Sequence, residues 1–207
     1  MRLYGGTDKL VHGYAPAYER HTAHFRYRRI RILEIGAGGY DSLEIGGSLR
    51  VWRDWFPRAR IVGFDIHPKK VDLGPRVGVV QGDQSNTGDL ARAVEALGGA
   101  PNIVIDDGSH LADHGRISFK YLFPLMDTGG VYAIEDLHTS YWLEYGGNIP
   151  APRSTAVGFA RELIDDVQVN DETFVRRPEW GPRPAPAISD RIAEMHIYPG
   201  IFFLTKR

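Results

Sequence analysis

Five short runs rich in Ile and Val, at residues 29–35, 61–65, 77–81, 102–106 and 130–135, recur along the chain with helix-like stretches between most of them. Strands separated by helices pair through crossovers rather than hairpins, so the pattern predicts a parallel sheet with helices on both faces. The first run, Arg29-Ile-Arg-Ile-Leu-Glu-Ile35, stops at Gly36-Ala-Gly-Gly39. A helix is expected over Ser48 to Phe56, where Leu49, Val51, Trp52, Trp55 and Phe56 set the period. Further helices are expected over 87–97, stopped by Gly98-Gly99, over 114–126, closed by Gly129-Gly130, and over 154–167. Two final strands, 192–198 and 201–205, meet at Pro199-Gly200 and read as a hairpin that gives the sheet an antiparallel edge. Residues 1–28 are polar, aromatic and basic. They read as an N-terminal arm with one short helix near 17–25, ahead of a single domain over 29–207. A polar, Pro-rich connection fills 170–187.

Composition narrows the classes. A chain of 207 residues suits one domain with a substantial core. Lys and Arg number 25 against 26 Asp and Glu, so no overall basic field invites nucleic acid. The absence of cysteine removes disulfides, iron–sulfur clusters, thiolate zinc sites and thiol nucleophiles together. No run approaches the roughly 18 to 20 apolar residues of a membrane span, and the start, Met1-Arg-Leu-Tyr-Gly-Gly6, is not an apolar signal core. The expected compartment is the cytoplasm.

In an open α/β sheet, ligands bind beyond the carboxyl ends of the strands, where the strand order reverses. Glu34-Ile-Gly36-Ala-Gly38-Gly39 places glycines at such an end, and Asp65 closes the second run with a carboxylate suited to two ribose hydroxyls. The pair points to a nucleoside-containing cofactor. The turn runs on into Tyr40-Asp41-Ser42 rather than the spacing expected for NAD, and no Walker lysine pattern occurs.

Two strand ends carry more acid than a cofactor requires: Ile105-Asp106-Asp107-Gly108-Ser109-His110 and Ile134-Glu135-Asp136-Leu137-His138. If the two strands are neighbours, Asp107, Glu135 and Asp136 meet at one rim, where mutual repulsion calls for a cation. Oxygen donors without thiolates favour Mg²⁺. A plainer reading stands beside it: Asp-Asp-Gly-Ser is a good turn sequence, Asp107 a cap, Glu135 a salt-bridged rim residue and His110 a packed loop histidine. His12, His24, His67, His114, His138 and His196 show no ligand spacing and are read as surface or core.

Glu34-Ile-Gly-x-Gly-Gly, Asp65, Gly82-Asp83-Gln84 and Asp106, each at a strand end, resemble the class I S-adenosylmethionine methyltransferases. That resemblance implies a Rossmann-like, seven-stranded, mostly parallel sheet with an antiparallel C-terminal strand. It implies that the turn of Gly36, Gly38 and Gly39 approaches the methionine part of the cofactor, that Asp65 holds the ribose and that Asp83 or Gln84 reads the adenine. Glu34, Tyr40, Ser48 and Asp106 join the implied cofactor-binding positions.

A sharper resemblance rests on Gly38-Gly39-Tyr40, Gly47-Ser48-Leu49-Arg50, Trp55-Phe56-Pro57-Arg58, residues 105–110, Glu135-Asp136, Thr139-Ser140-Tyr141-Trp142 and Tyr145-Gly146-Gly147. Together they are similar to the catalytic domain of Mg²⁺-dependent O-methyltransferases acting on deoxysugars of macrolide antibiotics. By that resemblance Asp107, Glu135 and Asp136 bind Mg²⁺, with Asp107 and His110 catalytic and His110 the general base. Tyr141, Trp142 and Tyr145 stack on a sugar or pack their loop. Thr7 and Tyr14 reach the cofactor from the arm, the substrate is a small glycosylated molecule, and the assembly is a homo-oligomer. The family carries a further N-terminal domain where this chain shows a short arm, whose Gly6-Thr7-Asp8-Lys9 and Tyr14-Ala-Pro-Ala-Tyr18 resemble the segment before the catalytic domain. Two alternatives share the acid cluster: methylation of a catechol-like or other vicinal-diol aglycone, and a nonenzymatic cofactor-binding module.

Overall fold

The strand Arg31–Ile35 (β1) carries four consecutive buried residues, so it lies in the interior of the sheet with both faces covered. The computed structural model describes residues 7–38, 46–70, 72–169 and 188–207. Around β1 stand Arg60–Asp65 (β2), Val77–Gln81 (β3), Ile103–Asp106 (β4), Val131–Ile134 (β5), Ile192–Tyr198 (β6) and Ile201–Lys206 (β7). They form one sheet in the order β3-β2-β1-β4-β5-β7-β6, with β1 to β5 parallel and β7 antiparallel to both β5 and β6. The seven-stranded, mostly parallel sheet with an antiparallel C-terminal end is the one expected. Its order reverses between β1 and β4, which fixes where a ligand crevice opens.

The helices divide between the two faces. Asp8–Val11 (α1) and Ala15–Thr22 (α2) lead to Gly47–Trp55 (α3), and Tyr18, Trp52 and Phe56 pack with Ile32, Ile61, Ile105 and Phe203 on one face. On the other, Thr87–Leu97 (α4), Ala112–Leu125 (α5) and Ala156–Val169 (α6) bring Leu90, Phe119 and Phe159 against Leu33, Val104 and Tyr132. The glycine stop of α4 acts as read, and a cap that the sequence reading did not single out starts the helix. Asn86 caps α4 by accepting the Gly88 N–H at 2.9 Å, and Gly98 ends it in the left-handed conformation at φ 80°. The arm starts one element earlier than its sequence indicates, because the four residues of α1 are too few to show a period. Two single-turn helices, Leu137–Tyr141 and Leu143–Tyr145, lie within the aromatic loop. No described helix is long and apolar enough to cross a membrane. The 170–187 connection, Gly39 and Tyr40 lie outside the described residues.

Gly36 shows why the turn after β1 requires glycine. Its φ is 84°, and a Cβ there would sit 1.9 Å from the backbone oxygen of Asp107. The glycine thus admits the loop after β4, a more direct demand than room for a ligand. Gly36→Ala is expected to destabilise the protein by about 3 kcal/mol or more, lowering the melting temperature by roughly 10 °C. Thermal denaturation checks this, and an unchanged midpoint would show that the two loops are not locked together.

Candidate active site

Side-chain alternation decides which acids meet. In the paired register Glu34 lies beside Ile105, and Ile105 beside Ala133. One period of two further along, Asp107 and Glu135 therefore face the same side of the sheet as Glu34, toward the arm. Asp106 faces the other way. It is buried, accepting hydrogen bonds from Gln84 Nε2 and from the Tyr132 hydroxyl, each at 3.1 Å. Burial pushes its carboxyl above the usual range, against the pull of those two donors.

At the reversal point a cavity of about 570 Å³ opens over the carboxyl ends of the strands. Of the residues singled out in the sequence, Thr7, Gly36, Gly38, Ser48, Asp65, Asp83, Gln84, Asp107, His110, Glu135, Asp136, Trp142 and Tyr145 line it. Glu34 lies fully buried, holding the Ser48 hydroxyl at 2.9 Å. Asp106, Tyr14 and Tyr141 are not in the lining. Asp65 is fixed by the backbone N–H of His67 at 2.9 Å. The hydroxyl and backbone N–H of Ser85 hold the Asp83 carboxyl below its usual range. Gln84 is turned inward, donating to Asp106 and accepting from Ser109 N–H at 2.8 Å.

An ammonium group sits among the acids. Lys9 Nζ lies 2.8 Å from Asp107 Oδ2, 2.8 Å from Glu135 Oε1 and 3.3 Å from Glu34 Oε1, with only 3% of its side chain exposed. Burial alone would lower its pKa; Glu135, Asp107 and Glu34 outweigh that and hold it above the ordinary lysine range. The same burial pushes the Glu34 and Glu135 carboxyls up, while Lys9 pulls both down. Tyr18 donates a short hydrogen bond to the Glu135 oxygen that Lys9 also holds. Tyr14 donates to Asp136 Oδ1 at 2.9 Å and to the Gly200 carbonyl at 3.1 Å. Burial and Asp136 raise its phenol well above the usual range.

Farther out, Asp107, His110 and Asp136 each offer a ligand atom, all within 4.8 Å of one another. The two carboxylates at that separation suit one hard divalent cation, with the imidazole beside it. The Glu135 carboxylate lines the same cavity behind them, with Oε1 held by Lys9 and Tyr18. His110 Nε2 stands 3.7 Å from Asp136 Oδ2. Among the described residues, His110 at φ 57° and Asp136 at φ 54° alone hold a left-handed backbone without being glycine. Such conformations cost about 1 kcal/mol or more and cluster at functional sites.

Sequence reasoning missed five groups here. Lys9 and Tyr18 are separated from their partners by 98 and 117 positions, and no local spacing marks such contacts. His12, His114 and His138, read as surface or core, line the cavity instead. His12 Nδ1 lies 3.1 Å from Asp136 Oδ1, and its ring stands edge-on to His138, which in turn meets Trp142. Only the arm's Thr-Asp-Lys and Tyr-Ala-Pro-Ala-Tyr resemblance flagged this stretch.

No family model matches the chain. It is 39% identical over 209 residues to 8-demethyl-8-alpha-L-rhamnosyl tetracenomycin-C 2'-O-methyltransferase of Streptomyces olivaceus, covering 100% of this chain and 54% of that relative. It is 40% identical over 201 residues to mycinamicin VI 2''-O-methyltransferase of Micromonospora griseorubida, covering 95% of this chain and 49% of the relative. Among solved structures, MycE methyltransferase from the mycinamycin biosynthetic pathway, in complex with Mg and SAH, matches with a TM-score of 0.82 at 39% identity, over 93% of this chain and 49% of that one. MycE in complex with Mg, SAH and mycinamycin VI matches at a TM-score of 0.78 and 37% identity, again over 93% and 49%. The chain spans about half the length of the curated relatives it matches. In strand order and in sequence, the chain belongs to the class I S-adenosylmethionine-dependent methyltransferases, similar over nearly its whole length to part of the antibiotic-sugar O-methyltransferases.

Proposed function

We propose that this chain transfers a methyl group from S-adenosylmethionine to a sugar hydroxyl of a small glycosylated natural product, with Mg²⁺ bound at the acidic rim. The observation that carries the reading is the convergence of Asp107, His110 and Asp136 within 4.8 Å at a cavity that Asp65 also lines. Similarity to relatives named as methyltransferases of rhamnosyl and macrolide sugars supports the acceptor class.

When bound, S-adenosylmethionine supplies an electrophilic methyl group and the divalent cation makes a nearby hydroxyl more acidic. Asp107 and Asp136 would hold the cation, with Glu135 as the third carboxylate. A sugar hydroxyl is a far weaker acid than imidazolium, so a histidine base needs that help. His110 accepts the acceptor's proton at Nε2, and Asp136 beside it stabilises the imidazolium. Asp65, held by the His67 N–H, accepts hydrogen bonds from the ribose. Gly36 and Gly38 line the cofactor side of the cavity, while Trp142 and Tyr145 flank the acceptor side and orient a sugar face. From Thr7 to Arg28 the chain acts as an arm on the cavity, of which Thr7, Lys9 and His12 form part of the wall.

Three substitutions separate these roles. Asp65→Ala is expected to weaken S-adenosylmethionine binding by about tenfold or more in calorimetry; undiminished affinity would refute the ribose contact. Asp136→Ala is expected to abolish Mg²⁺-dependent turnover and leave cofactor affinity nearly unchanged. His110→Ala is expected to keep both ligands and lose about 10² to 10⁴ in rate, so normal turnover across pH would mean that another group takes the proton. The direct test of the activity is methylation of glycosylated polyketides against their aglycones, with Mg²⁺ and with EDTA. Methylation of aglycones alone would move the acceptor to a non-sugar diol.

A further inference from the structure

We propose that Lys9 is a resident cation of the acidic rim, holding Asp107 and Glu135 in place before any divalent ion binds and restraining how tightly that ion is held. The second half rests on the Mg²⁺-dependent reading above; the first rests on geometry alone. Lys9 Nζ contacts one carboxylate from each of three neighbouring strand ends, Glu34, Asp107 and Glu135, at 3.3, 2.8 and 2.8 Å. A lysine side chain only 3% exposed is stable as an ammonium where charged partners surround it. Its backbone is held too: the Lys9 carbonyl accepts the Tyr14 N–H at 2.9 Å, at the start of the segment that presents Tyr14 to Asp136 and Tyr18 to Glu135.

The charge count supports a double role. Glu34, Asp107, Glu135 and Asp136 are four carboxylates packed at one rim against one lysine ammonium, which leaves excess negative charge for a divalent ion. Two of the lysine's three partners, Asp107 and Glu135, would also be donors in the proposed Mg²⁺ site, so the ammonium and the ion draw on the same carboxylates. Like charges at that range repel, and the repulsion is weakly screened inside a protein. Lys9 therefore makes the rim rigid without metal and keeps the metal's affinity below what four bare carboxylates would give.

The test compares wild type with Lys9→Met in two measurements that do not use turnover, melting in EDTA and Mg²⁺ titration calorimetry. Removing the ammonium from a buried cluster is expected to lower the metal-free melting temperature by roughly 10 °C. Saturating Mg²⁺ should restore most of that loss in the variant, and its Mg²⁺ dissociation constant should fall by about tenfold or more. If Lys9→Met does not fold in EDTA, Lys9→Met/Glu34→Gln, which removes one buried charge of each sign, is expected to regain metal-free stability. It should still bind Mg²⁺ more tightly than wild type, because the ammonium touches two of the donor carboxylates and Glu34 is not a donor. Unchanged melting in EDTA, or Mg²⁺ affinity that stays the same or weakens, overturns the proposal. A wild-type protein that binds no Mg²⁺ defeats the metal reading and the second half with it, while the melting comparison in EDTA decides the first half by itself.

Discussion

One ammonium group shared by three carboxylates organises the functional end of this molecule. Lys9 Nζ, nearly excluded from water, ties the tips of β1, β4 and β5 to an arm that lies about a hundred residues earlier than two of its partners. Bare carboxylates at such separation would repel or take up protons, and burying them unpaired would cost several kcal/mol each. With the ammonium in place the acids are held close together in one shape. The tyrosines that follow Lys9 extend the same logic, Tyr18 on Glu135 and Tyr14 on Asp136, so the arm is bound to the acids of the site as well as to the core, where Tyr14, Ala17, Tyr18 and Phe25 pack.

The sheet does the sorting. Because successive residues of a strand point to opposite faces, Asp106 and Asp107 have separate tasks. Asp106 anchors Gln84 and Tyr132 beneath the cavity floor, and Asp107 belongs to the rim. The loops that follow β4 and β5 then bring His110 and Asp136 face to face, each in a left-handed backbone that few residues other than glycine adopt. Among the described residues these are the two non-glycine positions that hold it, and both border the proposed reaction. Folding alone gives no reason for that coincidence; a site that must aim an imidazole and a carboxylate at one point does.

Much of this was legible in the chain. The alternation of β-branched runs and helical stretches identified the parallel sheet, Pro199-Gly200 its hairpin edge, and the acids ending the fourth and fifth runs their shared rim. The glycine turn was legible as a turn, but its reason was not: the residue that excludes a side chain at Gly36 is Asp107, on another strand end. Tertiary contacts account for the other gaps. Nothing in the spacing of Lys9, His12 or Tyr18 distinguishes them from a solvated basic arm, since their partners Asp107, Asp136 and Glu135 lie more than ninety positions away. Gln84, expected at the adenine, has its amide engaged with Asp106 and Ser109, a network visible only once α5 and the loop after β4 are in place. Tyr141, grouped with Trp142 and Tyr145 by sequence, sits outside the cavity lining that its two neighbours share.

The central claim is that a divalent ion sits between Asp107 and Asp136 while Lys9 stays on the inner side of the rim. Anomalous scattering from crystals of the protein grown with S-adenosylhomocysteine and Mn²⁺ reads that arrangement directly. The account predicts one strong peak within coordination reach of both carboxylates, with the Lys9 ammonium still on Asp107 and Glu135. A peak elsewhere, or none at saturating Mn²⁺ with those carboxylates turned to solvent, would contradict it.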